Sequence, residues 1–200
     1  MTRDRQDKDI DALLAAALRG DAPEWPDELS AELGVERILY HGIAGLIVEP
    51  RLNLRDWPKA VMGRVREQAI AQAMWEMRHK PLLAELLLAF SDTGLTALLL
   101  KGSALAYDLY DEPAARARGD SDVLVALGDL PAARRVLGSF GFARGADQLP
   151  ADDLALQEIW SLAGEGGLQH HIDLHWQLLN APRRGRDRGR YFAIPFARTE

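Results

Sequence analysis

The chain contains no cysteine in its 200 residues. Disulfides, thiolate metal sites and cysteine nucleophiles are therefore excluded, and any metal must be held by oxygen or imidazole, which favours a hard ion. Long apolar runs are also missing. The greasiest stretches, "PLLAELLLAF" and "LTALLL", are too short to cross a bilayer, and the opening "MTRDRQDKDI" is charged where a secretory leader needs an apolar centre. A cytosolic protein without a membrane partner is expected. Excess positive charge is lacking as well: the formal net charge of -6 argues against a general nucleic-acid binder, although arginines crowd into "APRRGRDRGR" near the end. That run reads as a solvated loop.

What is present is the composition of a folded globular protein, with 48% hydrophobic and 27% charged residues. The length suits one domain or one and a half, enough to bury a proper core. Residues 10–93 read as helices. "IDALLAAALRG" ends in a glycine stop, "DELSAELGVERILYHGIAGLIVE" has helical spacing, and a long amphipathic stretch carries Pro81 as an expected joint or kink. Trp75, Met74, Met77 and Leu82 on it read as core packing. From residue 95 the period changes. "LTALLL" and "SDVLVAL" are short bounded strands, "LPAARRVLGSFGF" is a helix closed by glycine, and "LALQEIWSLAG" and "LQHHIDLHWQLL" can pair as a hairpin around "GEGG". The expected architecture is α+β: a helical N-terminal region over 1–93, an α/β core with a small sheet over 94–180, and an Arg-rich segment over 181–200.

The chemistry lies in the second half. Alternate side chains of a strand share a face, so Asp120 and Asp122 point the same way, with Ser121 and Val123 opposite. Two carboxylates on one strand face repel each other and resist desolvation, which implies a positive partner between them. The same alternation puts His171, Asp173, His175 and Gln177 on one face of "HHIDLHWQ" and Ile172, Leu174 and Trp176 on the other. That strand alone leaves open whether the polar face is a site or a solvated surface over a core. Asp120, Asp122 and Asp173 on neighbouring strands would meet the oxygen-ligand requirement of Mg²⁺, which takes one or two protein carboxylates and fills its shell with water and substrate phosphate. The turn Lys101-Gly102-Ser103, between a strand and the helix "ALAYDLY", offers free backbone N–H groups and the positive end of a helix dipole to an anion. It is not a P-loop, since no Gly-x-x-x-x-Gly-Lys precedes it.

The order of apolar strand, "KGSALA", Tyr110 and Pro113, Arg116, "GDSDVLV" and then "IDLHW" resembles the nucleotidyltransferase superfamily of the DNA polymerase β type. Most closely it resembles the bacterial family of uncharacterised nucleotidyltransferases, over roughly residues 30–178. The resemblance implies a mixed sheet flanked by helices. It also implies Asp120 and Asp122 as metal ligands, Asp173 as the third acid, Gly102 and Ser103 as phosphate contacts, and Arg116 near the triphosphate. The implied reaction moves a nucleoside monophosphate from a nucleoside triphosphate such as ATP to an acceptor hydroxyl or amine on a small molecule, protein or RNA, with Mg²⁺ or Mn²⁺ as cofactor and pyrophosphate as leaving group. Lys101 and Arg116 would offset phosphate charge, beside an alternative in which they pair with Asp108, Asp111 or Glu112; Arg118 reads as a loop charge. The sequence departs from the family at Ser121, where an aliphatic residue is usual, and in ending soon after "LHW", so a truncated C-terminal part is expected. Two other readings stand beside this one: a non-catalytic binding module on the same fold, and a hydrolase or oxygenase with zinc or iron on His171, Asp173 and His175.

Overall fold

The structure, a computed structural model, describes residues 2–145 and 157–177. The Arg-rich segment and the "DQLPADD" turn lie outside the described residues. The chain divides into two compact units that interleave along the sequence: Met1–Lys80 with Leu105–Arg118, and Pro81–Ala104 with Gly119–Glu200.

The first unit is helical. In α1 (Arg3–Arg19) the buried Ile10, Leu13, Leu14 and Ala17 recur at the spacing of one helix face. Helix α2 (Ala31–Tyr40) starts at Ser30, whose hydroxyl accepts the Leu33 N–H at 3.3 Å and satisfies one of the donors a helix start leaves over. After α3 (Ala44–Ile47) the long α4 (Lys59–Asp92) begins. Ile38, Ile47, Val61 and Val65, at 0–1% exposure, join Ile10 and Trp57 in one apolar cluster, each such burial contributing about 1.5–3 kcal/mol. Helix α4 is continuous through Pro81, which has no N–H to give to the Met77 carbonyl, and the boundary between the units falls at Lys80 and Pro81. Within the first unit Gly45 lies so close to the 113–115 turn that a Cβ there would stand 2.6 Å from the Ala115 Cα.

Arg118, expected as a loop charge, is instead buried. Its guanidinium donates to Glu76 at 2.5 Å and to the Pro113 carbonyl at 3.0 Å, and lies over the rings of Trp75 and Tyr107. Tyr107 also donates to Glu76, at 2.9 Å. Burial raises the Tyr107 hydroxyl well above its ordinary range, so it stays a donor.

The second unit is built on a five-stranded mixed sheet in the order β1-β2-β5-β4-β3. Its strands are β1 (Leu98–Leu100), β2 (Asp120–Leu124), β3 (Ala143–Arg144), β4 (Gln157–Ala163) and β5 (Gln169–His175). Only β2 and β5 run parallel; the expected hairpin is β4–β5, antiparallel from Gln157↔His175 to Ala163↔Gln169. Its turn needs glycine, with Gly166 and Gly167 at φ 68° and 79°. One sheet face carries Ser121, Val123, Ile172, Leu174, Glu158 and Trp160, all buried. There α6 (Leu130–Ser139) supplies Arg134, which with Arg144 and the Trp160 indole N–H holds the Glu158 carboxylate. The other face carries the acids. This is the α+β arrangement expected from the sequence, a helical N-terminal part followed by a mixed sheet with helices.

Candidate active site

Register explains how the acids meet. Strand β2 pairs with β5 so that Asp122 lies directly opposite Asp173, and Asp120 opposite His171. Neighbouring carboxylates on one sheet face are destabilising unless something positive compensates. Asp120 is exposed at the start of β2, Asp173 is half-buried and Asp122 is only 5% exposed. Burial raises the Asp173 carboxyl above its ordinary value, and the charges of Asp120 and Asp122 push the same way, opposed by His175 and Lys101. Gln157 on β4 donates to Asp173 Oδ2 at 3.2 Å.

Lys101 turns inward rather than to Asp108, Asp111 or Glu112. Its ammonium reaches Asp122 Oδ1 at 2.6 Å, and that bond raises its pKa, with Asp173 and Asp120 adding to the effect. Lys101 also has φ 47°, a left-handed backbone that a non-glycine residue adopts at a cost of about 1–3 kcal/mol. The strained residue stands where β1 gives way to α5 (Lys101–Leu109), with Gly102 and Ser103 in the first turn, where backbone N–H groups lack intrahelical partners. The Ser103 side chain faces inward: 1% exposed, it meets the Ser121 hydroxyl at 2.8 Å and donates to the Asp120 carbonyl at 3.3 Å. Ser121 thus ties α5 to β2 from behind the acids.

Arg116 belongs to the first unit, at the end of the Pro113–Ala115 turn, and its Nε is buried without a hydrogen-bond partner among the described residues. The histidines separate. His171 Nδ1 meets the Ser161 hydroxyl at 2.9 Å, whereas His175 Nε2 meets Asp122 Oδ1 at 2.8 Å. Among the described residues, the side chains grouped closely enough to share an ion are Asp122, Asp173 and His175, with ligand atoms all within 4.8 Å of one another. Sequence reasoning did not assign His175 to Asp122; the signal was its place two residues after Asp173, on the same face.

A divalent cation fits this donor set. The acids are hard oxygen ligands, and a cation would offset both the burial that raises Asp173 most and the repulsion from Asp120 and Asp122 that adds to it. Carboxylates of parallel strands lie together here beside a strand-to-helix turn, an arrangement compatible with a divalent ion and an anion at one site. The chain belongs to the family described as uncharacterised nucleotidyltransferase, whose model matches residues 21–194. Comparison with curated proteins found no match. No described helix is long and apolar enough to cross a membrane.

Proposed function

We propose that this protein acts in the cytoplasm, transferring a nucleoside monophosphate from a nucleoside triphosphate such as ATP to an acceptor hydroxyl or amine. The pairing of Asp122 with Asp173 across parallel strands, in a chain of this family, carries the reading. Asp120, Asp122 and Asp173 would hold the Mg²⁺ or Mn²⁺, with Asp173 as the third acid, a reading that the grouping of Asp122 with Asp173 supports. The ion supplies charge neutralisation on the phosphate oxygens. Lys101 would offset further phosphate charge, the role that the family resemblance also implies for Arg116. Gly102 and Ser103 contribute backbone N–H groups at the start of α5, since the Ser103 hydroxyl is already engaged behind the sheet. The acceptor oxygen or nitrogen bonds to the α-phosphorus, the bond from that phosphorus to the pyrophosphate oxygen breaks, and the acceptor proton passes to Asp173.

Thermal-shift measurements with the four common nucleoside triphosphates, with and without Mg²⁺ or Mn²⁺, test this. A ligand at a hundredfold its dissociation constant stabilises by about 2.7 kcal/mol, and at least one triphosphate should do so only with the metal. No shift under any combination would sink the reading. Binding without transfer of α-phosphate label to any acceptor in a lysate would reduce the protein to a binding module.

A further inference from the structure

Asp122 is held by one oxygen. Both of its partners among the described residues, Lys101 Nζ at 2.6 Å and His175 Nε2 at 2.8 Å, take Oδ1, and Oδ2 has none there. The two donors differ in freedom. The Lys101 side chain is 60% exposed on a flexible stem, while the His175 side chain is 6% exposed at the end of β5. Lys101 has solvent to move into; His175 is enclosed. A carboxylate only accepts, so this hydrogen bond puts the ring proton on Nε2 and leaves that nitrogen no lone pair for a metal. The open approach to the acids is at exposed Asp120, on the far side of Asp122 in the strand from buried His175.

We propose that His175 is a positioning residue: its Nε2–H clamps Asp122 through Oδ1, so that Oδ2 is the oxygen offered to the divalent ion. The role rests on the metal-dependent reading above. It makes the imidazole the support behind a ligand rather than a ligand, and the clamp does not depend on Lys101. Partners of this kind fix a carboxylate's direction, and their loss typically weakens metal binding 10–100-fold.

The test is Mn²⁺ binding to the full chain, followed by the electron spin resonance of the free ion, in the parent and in His175→Leu and His175→Gln. Leucine fills the space without a donor; glutamine keeps an N–H. Far-UV circular dichroism melts without metal establish that each variant is folded. His175→Leu should bind Mn²⁺ 10–100-fold more weakly, and His175→Gln should stay within about threefold of the parent. A purely packing role would leave the affinity of both folded variants at the parent's value, and that result overturns the proposal. Equal loss in both variants overturns it too, because the donated hydrogen bond would not be what matters. Should the leucine variant fail to fold, NMR of the imidazole nitrogens in the parent decides. His175 should keep its Nε2–H form when Mg²⁺ is added, and loss of that proton to the metal would overturn the clamp. If the parent binds no divalent ion, even with triphosphate present, the metal-dependent reading falls and takes the clamp with it.

Discussion

At the scale of single residues, the site is a balance of like charges. Asp173 has its proton affinity raised by burial and by Asp120 and Asp122, so its ionised form is disfavoured in the folded protein. Below the ordinary carboxylate value of 3.8 both folded and unfolded chains hold the proton, and nothing is lost. As pH rises through the raised folded value, the unfolded chain has already released its proton, so stability falls until Asp173 is fully ionised. Asp173→Asn should therefore melt at a higher temperature than the parent at neutral pH without metal, with the advantage fading as pH drops below the ordinary carboxylate range. A pH series of melts checks this; an equal or lower midpoint for the variant at neutral pH would contradict it. The same variant should lose transfer steeply while keeping much of its nucleotide affinity.

At the scale of elements, period two in "DSDVLVAL" and "HHIDLHW" was enough to put the acids on one face of each strand, and the helical spacing of Ile10, Leu13, Leu14 and Ala17 was enough to place α1. Periodicity says which side chains share a face, and nothing about which strand lies alongside. The partner of Lys101 is 21 residues away, and Arg118 finds Glu76 across 42. Neither was legible, because a charge in a polar loop looks the same whether water or a buried carboxylate awaits it. Close approach is also invisible in sequence. At Gly45 an added methyl would meet the backbone of the 113–115 turn, which cannot swing aside as a side chain could. Gly45→Ala should cost about 1–3 kcal/mol, measured by urea unfolding, and a neutral result would mean that α3 and the turn can part without penalty.

Across the whole molecule, the first unit is stitched from two stretches of chain. Arg118 of the later stretch meets Glu76 of the earlier one, with side-chain exposures of 4% and 8%. Breaking a buried pair by removing one member strands the other charge, at a typical cost of about 3–5 kcal/mol. Arg118→Met should lose that much in denaturant unfolding, and a loss under about 1 kcal/mol would mean that water reaches Glu76 after all. The second unit is interleaved in a different way. Asp122 and His175 are 53 residues apart, and closing a loop of that length costs about 3.5 kcal/mol of chain entropy beyond a constant. During synthesis from the N-terminus, β2 is finished well before β5 exists, and until the β4–β5 hairpin docks, β2 has an unpaired edge. Asp120 and Asp122 put two negative charges on that strand, and edge charges keep such strands from pairing with other chains. Neutralising both of the acids proposed for catalysis should therefore leave that edge more prone to pair with other chains while the sheet is incomplete.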